Sequence, residues 1–133
     1  MSENLTLIRN LYAAFASGDV PAVLAAFSPG IVWNEAENFP YADGNPYHGP
    51  DAVVAGVFAR LGVDWDGFAV EVAELLDAGD TIVMLGRYRG THTGTALAMN
   101  PQVAHVWRVA GGEIIGFQQY ADTLAVARAT GAV

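Results

Sequence analysis

Two polar side chains, His105 and Gln119, interrupt the apolar segment VAHVWRVAGGEIIGFQQYAD at residues 103–122. The segment reads as two strands joined at the double glycine 111–112, so each polar residue lies on its own arm of a β-hairpin. A mostly apolar wall with a few polar groups is typical of small-molecule pockets. The alternative is that His105 and Gln119 hydrogen-bond each other inside the core, as buried polar groups usually do.

The register of this hairpin decides which side chains share a face. We predict four opposed pairs on the pocket face: Val109 with Ile115, Trp107 with Phe117, His105 with Gln119, and Val103 with Ala121. This register requires an odd-length loop with a bulge at the two glycines. Trp107 and Phe117 would then form the wall of the pocket beside the two polar groups.

A third polar candidate, Glu35, ends a predicted strand that reads IVWNE from residue 31. It shares its face of the strand with Trp33, two residues before it. In an apolar pocket the charged form of a carboxyl is disfavoured, so its pKa would rise toward the range that suits a general acid or base. The alternative is a carboxylate at the rim of the pocket, in contact with water.

The segment AENFPYADGNPYHG at residues 36–49 contains two Pro, two Gly and three aromatic residues. It is predicted as a loop, long enough to suspect a functional lid. Tyr41, Tyr47 and His48 would border the mouth of the pocket, where the two tyrosines would contact a substrate. The alternative for each is ordinary packing within the loop.

The remaining candidates have structural interpretations. Asp122 precedes a predicted helix and is expected to cap it, and His92 is expected to face solvent between two threonines. The three histidines lack the close HxH or HExxH spacing of metal sites. We therefore expect neither a metal nor a cofactor.

Apolar residues at helical spacing predict three helices before the main run of strands. The first contains Leu5, Ile8, Leu11, Tyr12 and Phe15, and ends at Ser17-Gly18. The second is short and capped by Asp19. The third begins near Pro50 and continues to Leu61.

Four strands follow at about 68–76, 81–89, 102–109 and 114–121, and a last short helix ends near Arg128. Helices with one strand among them, followed by strands without helical crossovers, are typical of the α+β class. We expect a mainly antiparallel, strongly curved sheet whose concave side is closed by the N-terminal helices.

Composition limits the number of domains, the partners and the location that the sequence predicts. The 133 residues suit one domain, and 53% are hydrophobic, which favours a ligand cavity, a subunit interface or both. The net charge of −8 argues against nucleic acid and anionic membranes as partners. Cysteine is absent, no window approaches a membrane span, and MSENLTLIRNLY has no basic region before an apolar run, so we expect a cytoplasmic protein.

An ordered set of motifs resembles the nuclear transport factor 2-like superfamily, in its SnoaL-like and ketosteroid isomerase-related branch. The motifs are FASGD at 15–19, IVWNE at 31–35, YHGPDAV at 47–53, DAGDTIVMLGRYRGT at 77–91 and AHVWRVAGGEIIGFQQYADT at 104–123. The resemblance covers the chain from Leu5 to about Arg128. It implies a cone-shaped α+β fold, usually a homodimer, with an apolar pocket between the helices and the curved sheet.

The resemblance also implies roles for single residues. Glu35 falls where the ketosteroid isomerases have their aspartate base. The tyrosine of their oxyanion hole falls on Leu11, with Tyr12 about 100° further around the helix, and their second oxyanion donor falls on His105. The histidine and aspartate that act together in the SnoaL-like polyketide cyclases fall on His105 and Gln119.

Residues and resemblance together predict a cofactor-free isomerase, cyclase or lyase that moves a proton next to a carbonyl of a hydrophobic substrate. Glu35 would be the base, and His105 with Gln119 would bind the developing oxyanion. The predicted substrate-binding residues are Trp33, Tyr12, Tyr41, Tyr47, Trp107, Phe117 and Gln119. The alternative is a dimeric protein that binds an apolar metabolite without turnover.

Overall fold

The computed structural model describes residues 2–133, which form helices around one curved, mixed sheet. The helices are α1 (Glu3–Ala16), α2 (Val20–Ala25), α3 (Pro50–Val53), α4 (Ala59–Asp64) and α5 (Thr123–Thr130). The strands are β1 (Phe27–Asn34), β2 (Tyr47–His48), β3 (Trp65–Asp77), β4 (Thr81–His92), β5 (Ala98–Met99), β6 (Gln102–Ala110) and β7 (Glu113–Ala121). A π-helical turn at Val54–Phe58 joins α3 to α4, so residues 50–64 form one long helix.

The strand order is β2-β1-β7-β6-β4-β3, and β5 pairs with the end of β4. All neighbouring strands are antiparallel except β1 and β7, which are parallel. This confirms the predicted α+β class. Two predicted boundaries are corrected: β1 begins at Phe27 rather than residue 31, and β3 begins at Trp65 rather than residue 68.

The first helix turns one apolar face toward the sheet. Ser2 caps it, because its hydroxyl accepts a hydrogen bond from the Leu5 amide at 3.0 Å. Ile8, Leu11 and Tyr12 are buried at helical spacing and pack under β3 and β4. The helix thereby delivers the Tyr12 side chain into the interior.

The β6–β7 hairpin keeps the predicted pairs of His105 with Gln119 and Trp107 with Phe117, but not the predicted turn. Gly111 and Gly112 have φ of 57° and 76°, which suits a two-residue turn of type I′. The bulge lies three residues further on, so Val109 pairs with Ile114 rather than with Ile115. Ile115 is therefore the extra residue, and its side chain is 43% exposed.

The sheet bends where Gly86 of β4 faces a second bulge, between Val72 and Glu74 of β3. A Cβ atom at this glycine would lie 2.0 Å from the Glu71 carbonyl oxygen and 2.9 Å from the Met84 sulfur. Only glycine permits this approach of the two strands. Because Tyr88 follows on the same face of β4, the bend aims its side chain at the interior.

We expect Gly86→Ala to lower the free energy of unfolding by about 3 kcal/mol, the upper part of the range for overpacked sites. Gly62→Ala is the matched control, because a Cβ atom there meets nothing within 4 Å in helix α4. That change should stabilise the protein by about 0.5–1 kcal/mol. Urea unfolding of both variants measures the difference, and equal stabilities would contradict the proposed role of Gly86.

Candidate functional site

An interior cavity of about 50 Å³ lies between α1, the long 50–64 helix and the concave face of the sheet. This volume holds only a few water molecules, so a larger ligand must displace side chains of the lining when it binds. Apart from tryptophan N–H groups, its polar side chains are those of Tyr12, Glu35, Tyr88, His105 and Gln119. The other aromatic residues of the lining are Phe15, Trp33, Phe39, Phe58, Phe68, Trp107 and Phe117.

His105 lies between two tyrosines in this cavity. The hydroxyl oxygen of Tyr12, from α1, is 2.6 Å from the Nδ1 atom of His105. The hydroxyl oxygen of Tyr88, from β4, is 2.5 Å from its Nε2 atom. Both ring nitrogens of His105 therefore have a phenolic partner, and all three side chains are buried.

Each phenol accepts a further hydrogen bond from the sheet. Trp107 Nε1 donates to the Tyr12 hydroxyl at 2.8 Å, and Gln119 Nε2 donates to the Tyr88 hydroxyl at 2.8 Å. The orientation of the Gln119 amide is settled by its oxygen, which accepts from the Ala36 backbone N–H at 3.0 Å. The five side chains thus form one chain of hydrogen bonds across the cavity wall.

Burial keeps this chain of groups uncharged at neutral pH. Desolvation lowers the pKa of His105 from 6.5 to about 3, because the imidazolium form cannot be solvated there. Desolvation also raises the pKa values of Tyr12 and Tyr88 above their ordinary value. The cluster consequently consists of a neutral imidazole between two neutral phenols.

Glu35 is the acidic group of the cavity and is only 3% exposed. Trp33 Nε1 donates a hydrogen bond to its Oε2 atom at 3.2 Å. Burial raises the pKa of Glu35 from 4.5 to about 7, although the Trp33 hydrogen bond and the charge of Arg60 oppose the shift. The carboxyl can therefore both release and accept a proton near neutral pH.

The backbone of Glu35 is held in place by Asn45. The Glu35 N–H donates to Asn45 Oδ1 at 2.9 Å, and Asn45 Nδ2 donates to the Glu35 carbonyl oxygen at 2.8 Å. This pair of bonds prolongs β1 by one residue beyond its last strand position. The loop that follows β1 thus positions the acidic side chain.

Tyr41 and Tyr47 are not part of the cavity lining, which corrects the expectation that they border its mouth. The Tyr41 hydroxyl donates to Asp64 at 2.8 Å, and the Tyr47 hydroxyl donates to the Tyr41 carbonyl oxygen at 2.7 Å. The Tyr47 ring lies against Gly56, where a Cβ atom would be 2.0 Å from the ring. Both tyrosines fasten the loop to the long helix.

His105 and Gln119 lie on the cavity face, but Tyr88 separates them, so they do not bond each other directly. Sequence reasoning missed Tyr88. The available signal was the alternation along β4, in which Met84, Gly86 and Tyr88 occupy one face. Met84 pairs with His105 in the β4–β6 register, which brings that face to the cavity.

The other predicted residues lie outside the cavity. Asp122 caps α5, as predicted, by accepting from the Ala125 amide at 3.3 Å. His92 is only partly exposed and lies edge-on to Trp65. Within residues 2–133 no three His, Asp or Glu side chains form a group suited to a metal ion. None of the helices in that range is long and apolar enough to cross a membrane.

Residues 8–117 match the SnoaL-like domain family. The chain is 42% identical to an NTF2-like protein of Burkholderia thailandensis E264, with a TM-score of 0.92 over 97% of this chain and 98% of that chain. It is 30% identical to an NTF2-like protein of unknown function from Burkholderia pseudomallei K96243, with a TM-score of 0.89 over 98% of both chains.

A third similar structure is that of TerC, co-crystallised with polyporic acid. It is 21% identical, with a TM-score of 0.86 over 98% of this chain and 99% of that chain, so the similarity concerns the fold. No curated protein matches the sequence.

The raised pKa of Glu35 predicts a specific pH dependence of stability. Folded protein retains a proton that the unfolded chain releases, so the stability of the folded state falls as pH rises from about 4.5 to about 7. Glu35→Gln should abolish this fall and be more stable than the parent well above pH 7, by about 3 kcal/mol. Urea unfolding at a series of pH values measures both curves.

Glu37→Gln is the control, because this exposed glutamate lies two residues from Glu35. Its curve should follow that of the parent. The ionisation of His105 is common to all three proteins and cancels in the differences. Parallel curves for Glu35→Gln and the parent would show that Glu35 titrates as an ordinary carboxyl group.

Proposed function

The chain belongs to the SnoaL-like domain family, and on this basis we propose that it binds a small hydrophobic molecule in the interior cavity and transfers a proton on it through Glu35. Membership of the family supports the fold on which the proposal rests, and the side chains that line the cavity support the proposed chemistry. The reaction would be an isomerisation, cyclisation or elimination that requires no cofactor.

The observation that carries the proposal is a buried carboxyl group with a pKa of about 7 in an aromatic cavity. Such a group is matched to proton transfer at neutral pH, because both protonation states are populated. The ionised Glu35 would remove a proton from carbon next to a carbonyl. The resulting acid would return that proton to a second carbon or lose it to solvent.

The surroundings of Glu35 support this role. Trp33 and Asn45 fix the side chain and the backbone of the residue, so little reorganisation accompanies the transfer. TerC, a protein of the same fold, was crystallised with polyporic acid. That similarity concerns the fold alone and supports a small-molecule site within it.

A second candidate is binding without turnover. It is favoured by the fact that His105 and Gln119 already share hydrogen bonds with Tyr12, Tyr88 and Ala36. Groups that hold one another in this way are not free to contact a reaction intermediate directly. On this alternative the cluster shapes a receptor pocket, and Glu35 contributes only polarity.

We also propose that the chain forms a homodimer through the outer face of the sheet. Apolar side chains are exposed there, among them Leu85 of β4 and Tyr120 of β7, which is 57% exposed. Leu85 and Tyr120 both lie beside Ala104 in the sheet, so they form a continuous patch. A two-fold contact would remove this patch from water.

Glu35→Gln tests the catalytic proposal, because it preserves shape and removes the proton acceptor. Exchange of the α-hydrogens of cyclopentanone in D₂O, followed by NMR, is a direct assay of proton transfer next to a carbonyl. We expect the protein-dependent exchange rate to fall at least about a hundredfold, while cyclopentanone affinity changes little. Glu37→Gln should retain the parental rate.

The outcomes separate the two candidate functions. An exchange rate that Glu35→Gln leaves unchanged would eliminate Glu35 as the acid–base group. Binding of cyclopentanone with no exchange in the parent or the variant would favour the receptor. Identification by mass spectrometry of a ligand that co-purifies with the protein would then define the natural class.

The dimer proposal predicts a sedimentation mass near twice 14.0 kDa at micromolar concentration. Tyr120→Asp should shift the protein to monomer, because each subunit would have to bury an unpaired carboxylate in an apolar contact. Leu124→Asp is the control, since this exposed leucine lies on helix α5 and not on the sheet. A parent that sediments as a monomer would exclude the dimer.

A further inference from the structure

Three donor protons share two contacts in the cluster of Tyr12, His105 and Tyr88. A neutral imidazole carries one N–H, and each phenol carries one O–H. The structure offers two contacts for them, one between Tyr12 and Nδ1 and one between Tyr88 and Nε2. Each contact holds one proton, so one of the three protons is left over.

The outer partners of the cluster cannot take that proton. Trp107 reaches the Tyr12 hydroxyl with an indole N–H, which only donates. Gln119 reaches the Tyr88 hydroxyl with its amide nitrogen, because the amide oxygen accepts from the Ala36 N–H. Both phenol oxygens therefore accept from outside, and their own protons must be directed elsewhere.

The tautomer of His105 decides which phenol retains the unused proton. With the proton on Nδ1, the imidazole donates to Tyr12 and accepts from Tyr88, so the O–H of Tyr12 is unused. With the proton on Nε2, the roles reverse and the O–H of Tyr88 is unused. Tyr12 and Tyr88 both line the cavity, so in either tautomer the residue with the unused O–H lies at its wall.

We propose that the cavity presents one exchangeable phenolic O–H, from Tyr12 or from Tyr88 according to the tautomer of His105, which recognises an acceptor oxygen of the ligand. This inference rests on the proposed function, in that it assumes a ligand in the same cavity. It assigns the contact with the ligand oxygen to a phenol, whereas His105 and Gln119 were expected to make that contact themselves. Both residues would act through the phenols, as positioning residues.

The ligand class follows from the same lining. A buried donor without an acceptor is unfavourable, so a ligand that brings an acceptor oxygen gains affinity. No Lys or Arg is among the described lining residues, and His105 is neutral, so an anion would have no counter-charge. The favoured ligand is a neutral apolar molecule with a carbonyl-type oxygen, rather than a carboxylate or a phosphate.

Two probes of nearly equal shape test the proposal: cyclopentanone, which has an acceptor oxygen, and methylenecyclopentane, which has none. ¹⁵N NMR of His105 in the unaltered protein reports the tautomer, because the two ring nitrogens differ in chemical shift when one is protonated. We expect a neutral ring at pH 7. Cyclopentanone should shift the tautomer populations, and methylenecyclopentane should leave them unchanged.

With cyclopentanone bound, Tyr12→Phe and Tyr88→Phe should shift the His105 tautomer in opposite directions in the ¹⁵N NMR measurement. Without Tyr12, the ketone can accept only from Tyr88, so the Nε2–H tautomer is selected; without Tyr88, the Nδ1–H tautomer is selected. In the double variant, the affinity for ketone relative to alkene should fall about tenfold. Tyr41→Phe, a buried tyrosine outside the cavity, should leave tautomer and ratio unchanged.

The results distinguish this inference from the proposed function. If both probes bind, but the ketone-to-alkene ratio and the tautomer stay the same in every variant, the phenolic recognition is wrong and the cavity remains a binding site. A doubly protonated His105 at pH 7 would also overturn the proton count, with no variant required. If neither probe binds, the proposed function itself fails for this ligand class, and the inference fails with it.

Discussion

Each polar side chain that lines the apolar cavity has at least one hydrogen-bond partner, because a buried polar group left unpaired costs about 1–3 kcal/mol. A domain of this size has a total stability of only about 5–15 kcal/mol. The bonds of Tyr12 to His105 and Trp107 join residues 93 and 95 positions apart. They therefore determine how α1 sits on the sheet, together with the apolar contacts of its buried face.

Glu35 differs from the tyrosine and histidine cluster in how well its hydrogen-bond partner offsets burial. Its carboxyl group has an indole N–H as partner, which stabilises the charged form too weakly to offset burial. The pKa consequently rises to about 7, whereas the neutral members of the cluster have partners that suit their neutral forms. One cavity thus contains a fixed polar framework and a single group that changes charge near neutral pH.

The fold class and the common face of His105 and Gln119 could be predicted from the sequence, because burial imposes alternation along strands. The position of the bulge could not, since Ile114 and Ile115 are chemically identical and no local signal shows which is buried. Tyr88 was missed because its face depends on pairing with β6. The loop tyrosines suited packing within the loop or the mouth of a pocket, and the contacts of Tyr41 with Asp64 and of Tyr47 with Gly56 decided between them.

The pKa values of the two titrating groups define the range in which the cavity is uncharged. His105 is neutral above about pH 3 and Glu35 below about pH 7, so between these values the lining has no charged group. Above that range Glu35 becomes a base, and its burial as a carboxylate lowers the stability of the folded state by about 3 kcal/mol. A proton acceptor strong enough for catalysis at neutral pH therefore exists in this cavity only at the expense of folding stability. The hydrogen bonds of the neutral cluster and those between Asn45 and the Glu35 backbone do not involve the carboxyl group, so its ionisation leaves them in place.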